Sequence, residues 1–159
     1  MATKSFKSTA DLLKYVKSKG ADILQEIIDK EVVPELMYQI QDVVYNAYDP
    51  VCYQRRYNEN GLGDIDNIMQ TKSSDGLKIQ IKNIAKSSNK KYDVYLDVFI
   101  VEGTHYWSGF EKYQSLPFPR DFYKATREAI ELVLPQMAKQ AFERRGIKAT
   151  IKKVNIKTQ

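Results

Sequence analysis

The sequence predicts an α+β domain, in which an antiparallel sheet of three to four strands packs against an N-terminal long helix and a C-terminal long helix. Three observations support this prediction: a helical repeat of apolar residues in the first third of the chain, two-residue alternation in the middle, and a second helical repeat near the end. The chain has 159 residues and neither an internal repeat nor a linker, so residues 1–159 are expected to form a single domain.

Two helical patterns occupy the first third of the chain. Residues 1–20 predict an N-terminal helical arm, which begins near Ser8 and closes at Gly20. Over residues 21–48 apolar side chains recur at three- and four-residue steps, which predicts the longest amphipathic helix of this half. Pro34 falls inside that pattern, where it either kinks the long helix or begins a new one.

The apolar period changes from helical to two in the middle of the chain. Residues 68–72 lead into Ser73-Ser74-Asp75-Gly76, a sequence with strong turn chemistry. Residues 77–81 and residues 94–100 then alternate apolar with polar side chains, as a strand with one buried face does. Strands at this spacing predict hairpin connections and therefore an antiparallel sheet.

A second long amphipathic helix is predicted over residues 120–145. Pro135 is expected to kink this helix, and Gly146 is expected to terminate it. Alternating apolar residues over 147–156 then predict a last strand.

Composition narrows the class of protein. The net charge of +5 comes from 25 basic and 20 acidic residues, and the basic doublets are scattered, so sequence-specific nucleic-acid binding is not expected. A single cysteine excludes an internal disulfide and fits a reducing compartment. No apolar run reaches the length of a membrane span or resembles a signal peptide, so we expect synthesis in a cytoplasm and no membrane partner.

Two irregular segments, residues 49–67 and 103–118, are the predicted interface loops. The chain contains eleven tyrosines, and the first loop packs tyrosine and arginine together in a connection too long to be a simple turn. Tyrosine, tryptophan and arginine contribute most of the contact energy at protein interfaces. The predicted anchors for a protein partner are Tyr53, Arg55, Arg56, Tyr57, Tyr106, Trp107 and Phe110.

Two other interpretations of the same loops stay open. Stacking bases and attracting phosphates needs the same mixture of aromatic and basic side chains, so the Tyr/Arg loop could bind single-stranded nucleic acid. The loops could also pack on themselves, with arginine stems covering tyrosine rings and the second aromatic segment capping the sheet.

The residues that could support catalysis or bind a metal are few. His105 is the only histidine and Cys52 the only cysteine, so an enzyme would need this pair as base and nucleophile. Asp64, Asp66 and Asn67 lack the remaining oxygen ligands of a cation loop, and their predicted role is to cap a helix or turn. We therefore expect no catalytic residues, no metal site and no cofactor.

Two further motifs have structural interpretations. Gly61 and Gly63 lack the strand-to-helix context of a phosphate-binding loop, and they are expected to supply turn conformations. Asp93 and Asp97 lie four residues apart on a predicted strand, where paired carboxylates are expected to form a solvated face.

The order of several motifs resembles that of a phage protein family. The first part reads Tyr48-Asp49-Pro50, then Tyr53-Gln54-Arg55-Arg56-Tyr57, then Gly61-Leu62-Gly63-Asp64 and Asp66-Asn67. The second part reads Glu102-Gly103-Thr104, then Trp107, then Pro117-Phe118-Pro119-Arg120-Asp121-Phe122 at the start of a long helix. Together they are similar to the tail-completion family of long-tailed phages, which includes minor tail and head–tail joining (neck) proteins.

The resemblance implies a structural role in the virion. A protein of this kind forms a cyclic ring, six- or twelve-fold, at the head–tail junction, and contacts the connector or adaptor on one side and the tail tube or terminator on the other. A tail-completion ring, a neck or collar ring and a tail-terminator ring all fit the resemblance. Closed rings require heterologous interfaces between copies, and the two irregular segments are the expected interfaces.

Overall fold

The computed structural model describes residues 5–47, 56–87, 94–103 and 119–151. Within these residues, helices pack against a two-stranded antiparallel sheet, which confirms a mixed helix-and-strand fold compatible with α+β. The sheet is smaller than the predicted three to four strands.

A continuous helical element forms the first third of the chain. It consists of α1 (Thr9–Ile27), a π-helical turn (Ile28–Val32), α2 (Val33–Gln39) and a second π-helical turn (Ile40–Tyr45). The prediction that Gly20 closes a helix is wrong, because α1 runs through it. A side chain at Gly20 would have its Cβ 3.2 Å from Leu77 Cδ2, so glycine lets the helix pass close to the neighbouring hairpin.

Pro34 lies in the first turn of α2, directly after the π-helical turn. The wider turn there, in which Val33 N–H donates to Ile28 O, relieves the clash of a proline ring with the carbonyl four residues earlier. Pro34 therefore begins a new helical segment without interrupting the helical path, which is the second of the two predicted possibilities.

The predicted hairpin is confirmed for its first two strands. Strand β1 (Ile68–Lys72) pairs antiparallel with β2 (Ile79–Asn83), with Ile68 opposite Asn83 and Lys72 opposite Ile79. The turn follows the predicted chemistry, because Asp75 accepts from Leu77 N–H at 3.0 Å and Gly76 adopts a positive φ of 69°.

The predicted strand over residues 94–100 is wrong. Leu96–Glu102 forms a helix, α3, and Gly103 ends it with a φ of 73°. Alternation of apolar side chains was ambiguous here, because Leu96 and Ile100 are also one helical turn apart and both pack against the core. Docking of that helical face outweighs the β propensity of valine, phenylalanine and isoleucine.

The predicted C-terminal helix is two helices, α4 (Phe122–Glu131) and α5 (Leu134–Arg144). Instead of kinking one helix, Pro135 lies in the first turn of α5, a position where its missing N–H costs nothing. Gly146 follows α5 with a φ of 73°, as predicted for a terminating glycine. The predicted last strand is absent over residues 147–151, and its remainder lies outside the described residues.

The core has two adjoining clusters. One joins α2, the second π-helical turn, α3 and α4 around the fully buried Ile40 and Phe122. The other joins α1 and α5 over the sheet, around Ile23, Ile27 and Ala141. None of the helices in the described parts of the chain combines the length and the apolarity that a bilayer span requires.

Candidate partner interface

The loop that carries Arg56 and Tyr57 is anchored to the end of the long helical element. Tyr45, which is 7% exposed, donates its hydroxyl hydrogen to Arg56 O at 2.9 Å. The Tyr45 hydroxyl oxygen in turn accepts from Gly63 N–H at 3.2 Å. One phenol therefore ties both ends of the segment 56–63 to the helix.

Position 61 requires glycine because the neighbouring backbone leaves no space for a side chain. A Cβ on Gly61 would lie 1.9 Å from Arg56 O, and one on Gly63 would lie 3.2 Å from Tyr57 O. Both glycines lie in a bend and turn, as expected, in which Asp64 N–H donates to Gly61 O at 3.3 Å, but neither has a positive φ. Close approach of the backbone to itself is the reason for glycine here.

The acidic part of the motif caps a short helical turn, as predicted. Asp64 accepts from Asp66 N–H at 3.0 Å and from Asn60 N–H at 2.9 Å, at the start of the 3₁₀ turn Ile65–Asn67. Asn67 donates its side-chain amide to Gly61 O at 2.9 Å. All three side chains of the expected capping group thus lie in or next to this turn.

Arg56 and Tyr57 are the two predicted anchors within the described residues. Arg56 Nη2 donates to Lys86 O at 2.7 Å, which places its guanidinium against the chain segment that follows β2. The Tyr57 ring contacts the Tyr45 ring in a tilted arrangement, with the ring centres 4.4 Å apart, yet 45% of Tyr57 stays exposed. The other anchors, Tyr53, Arg55, Tyr106, Trp107 and Phe110, lie outside the described residues, and their role stays a prediction.

Three residues that the sequence did not single out extend this surface. Lys82 Nζ lies 4.1 Å from the centre of the Tyr95 ring, and Lys86 Nζ lies 5.4 Å from it. Tyr95 is 36% exposed, Lys86 is exposed and Lys82 is half-buried. The ring thus has two ammonium groups beside it at the surface. The signal was present, because Lys82 and Tyr95 both fell on the polar face of their predicted strands. We call Arg56, Tyr57, Lys82, Lys86 and Tyr95 the cation–aromatic surface.

A buried asparagine fixes the backbone beneath the cation–aromatic surface. Asn83 is 0% exposed, donates to Leu62 O at 2.8 Å and accepts from Ala85 N–H at 2.9 Å. Its own N–H donates to the Tyr123 hydroxyl oxygen at 2.8 Å. Asn83 therefore connects the anchored loop, β2 and α4, so the surface rests on a rigid support.

Tyr123 continues this polar network to α3. Its hydroxyl donates to Asp97 Oδ2 at 3.0 Å. Burial raises the pKa of Tyr123, and the nearby Asp97 carboxylate raises it further, so the phenol keeps its proton and donates. The prediction that Asp97 belongs to a solvated pair with Asp93 is wrong for Asp97, which is 4% exposed. Asp93 lies outside the described residues.

Residues 120–122, which end the second motif of the phage-family resemblance, have a structural role. Arg120 is buried and donates from Nη1 to Val44 O at 3.0 Å, near the end of the long helical element. Asp121 caps α4 by accepting from Lys124 N–H at 2.8 Å, and Phe122 is fully buried. This arginine–aspartate–phenylalanine sequence thus fixes the start of α4 against α2.

The side chains of the cation–aromatic surface are suited to binding. Among the residues that the structure describes, no group of three or more histidine, cysteine, aspartate or glutamate side chains could hold a metal ion. His105 and Cys52, the only candidates for a catalytic pair, lie outside those residues. Exposed cations on and beside aromatic rings can bind carboxylates, phosphates or further rings.

The chain was compared with known proteins. No curated protein and no solved structure matches it. The family model described as YomN matches residues 8–151, a range that includes every helix and strand given above. YomN is the name of a phage-derived protein of the SPbeta-prophage type. The chain therefore belongs to the YomN family and is a phage-related protein.

Proposed function

We propose that this protein is a virion structural protein at the head–tail junction of a phage particle. In this role copies form a closed ring, six- or twelve-fold, that joins the connector or adaptor to the tail tube or terminator. The protein is made in the host cytoplasm and ends in the neck or tail junction of the virion. Joining is a binding function, and we propose no catalytic step, cofactor or metal for it.

The cation–aromatic surface carries this proposal. It presents one guanidinium, two ammonium groups and two partly exposed tyrosine rings on one side of a phage-related protein. Tyrosine and arginine dominate the energy of protein interfaces because they combine a large contact area with few mobile torsions or a rigid donor fork. The anchored backbone beneath them lowers the entropy lost on binding.

The test is a double substitution on this surface, Arg56→Ala with Tyr57→Ala, in the phage genome that encodes the chain. We expect a monomer that still folds, together with unjoined heads and tails in electron micrographs and a loss of infectious particles. The matched control is Arg127→Ala with Leu132→Ala, which removes an exposed arginine and an exposed apolar residue from α4 and the turn after it. Normal yields of complete virions from the first double variant would refute this function for the surface.

A nucleic-acid-binding accessory role is the second candidate. The observation that favours it is the pair of lysines over the Tyr95 ring, since stacking combined with positive charge binds single strands without sequence preference. Fluorescence anisotropy with labelled single-stranded DNA and RNA tests it across a salt series. This role predicts tight binding at near-physiological salt, a steep salt dependence, and a loss of affinity in Lys82→Ala with Lys86→Ala.

A further inference from the structure

The first half of α1 has an apolar stripe that nothing in the described chain covers. Leu12, Val16, Ile23 and Ile27 recur at helical spacing on one face of α1. Ile23 is 2% exposed and Ile27 is 5% exposed, because α5 and the sheet pack on them. Leu12 is 41% exposed and Val16 is 48% exposed. The stripe therefore continues past the core into solvent.

Local contacts nevertheless stabilise the first turns of α1. The Ser8 side chain accepts from Asp11 N–H at 3.1 Å and donates to the Asp11 carboxylate at 2.8 Å, which caps the first turn. The Phe6 and Tyr15 rings also contact each other at 5.2 Å. Short helices with an exposed apolar face gain most of their stability from what they pack against, so this arm has the features of a docking element.

The charges of the long helical element are divided between its two parts. Residues 9–19, which we call the basic arm, carry three lysines and one aspartate. Residues 31–42 carry three acidic residues and no basic one. Within them Glu31, Tyr38 and Asp42 are exposed and Glu35 is half-buried, all near one side of the helix, where Tyr38 is 60% exposed. We call these four residues the acidic face.

The two parts also match in length. A helix rises 1.5 Å per residue, so the basic arm spans about 16 Å and the acidic face about 18 Å. Both lie on one continuous helical element, so the arm of one chain cannot fold back onto its own acidic face. The two surfaces can meet only between chains.

We propose that the basic arm of one copy docks on the acidic face of a second copy of this chain. Leu12 and Val16 lie against Tyr38. Lys17 and Lys19, the lysines nearest to that stripe at helical spacing, face the acidic side chains Glu31, Glu35 and Asp42. Because each copy offers one arm and one face, the contact is heterologous and repeats head to tail until a ring closes. This inference deepens the proposed ring, on which it rests, by naming a contact between its copies.

The experiment measures the mass of the purified full-length chain by size-exclusion chromatography with light scattering, over a range of concentration and salt. The wild type is expected to associate and to dissociate as salt rises. Lys17→Glu with Lys19→Glu makes the arm acidic beside its apolar stripe, and Glu31→Lys with Glu35→Lys makes the face basic. Each double variant alone is expected to be monomeric, with the dissociation constant raised by at least about tenfold, because like charges then meet.

Mixing the two double variants is the decisive step. The acidic arm of the first then fits the basic face of the second, and the basic arm of the second fits the acidic face of the first. An equimolar mixture is therefore expected to reassociate, and alternating copies close a six- or twelve-fold ring because both numbers are even. Arg127→Glu with Lys148→Glu is the control, since it reverses two exposed charges elsewhere and should leave association unchanged.

Three outcomes would overturn the inference: a wild type that stays monomeric at millimolar concentration, association that survives both double variants, or a mixture that does not reassociate. Wild-type binding to anionic vesicles or nucleic acid without self-association would assign the arm to those partners instead. The purified chain needs no phage component, so these results are independent of the virion assay. If the purified chain forms the ring but the Arg56→Ala with Tyr57→Ala phage still yields complete virions, only the head–tail role is refuted.

Discussion

The two ends of the long helical element differ in how completely the fold uses them. At the C-terminal end, Tyr45 is buried, holds the loop of Arg56 through its hydroxyl group and contacts the Tyr57 ring. At the N-terminal end, Leu12, Leu13 and Val16 are all more than 40% exposed. One end is fixed by contacts within the chain, whereas the other presents apolar surface outward. We therefore expect stability and the proposed assembly to depend on different halves of one helical element.

The largest expected effect concerns the core beside the C-terminal end. Phe122 is 0% exposed and packs in the cluster that contains Ile40 and Val44. Phe122→Ala should lower the free energy of unfolding by about 3–5 kcal/mol, because it leaves a cavity. Leu132→Ala is the control, since an 88% exposed side chain should change it by about 0.5 kcal/mol or less. Urea denaturation measures both, and equal effects would contradict the assignment of the core.

The next effect concerns the polar support. Asn83→Leu leaves Leu62 O and Ala85 N–H without their buried partner, which should cost about 2–4 kcal/mol. Gln80→Leu makes the same kind of replacement at an exposed position of β2 and should cost little. If the two variants had the same urea midpoint, the network around Asn83 would not hold the loop.

A smaller effect is expected at the anchor itself. Tyr45→Phe keeps the ring but removes the hydroxyl that bonds Arg56 O and Gly63 N–H, which should cost about 1–2 kcal/mol. Tyr38→Phe, at a residue 60% exposed, serves as the matched control with almost no cost. Thermal melts of the two variants at equal concentration give the comparison, and an unshifted Tyr45→Phe melt would contradict the anchor.

The smallest effect on stability is expected in the basic arm. Leu12→Gln with Val16→Gln places good helix formers at both positions and should change the free energy of unfolding of the dilute monomer by about 0.5 kcal/mol or less. Ile23→Ala, on the same stripe but buried, should cost about 2–5 kcal/mol. A large loss of monomer stability in the arm variant would show that the arm packs within its own chain.

Sequence patterns predicted the hairpin, the helical regions and the caps, because each depends on neighbouring residues. They did not predict α3, since Leu96 and Ile100 suit a strand and a helix equally and only docking against the core decides. The prediction that Gly20 ends a helix was wrong for a related reason, because the space that this glycine leaves is taken by Leu77, a residue distant in sequence. For the candidate surface, Arg56 and Tyr57 stood out by residue type. Lys82, Lys86 and Tyr95 gain meaning only when folding brings them together.

The central claim is that one half of the long helical element is fixed within the chain and the other half binds a second copy. Its most direct test is hydrogen–deuterium exchange along this element, in the dilute monomer and in the associated form. We expect amides of residues 36–45 to be protected in both states, and amides of residues 9–19 to be protected only on association. Equal exchange of residues 9–19 in the two states would contradict the account, because the exposed half of the helix would then have no partner among its own copies.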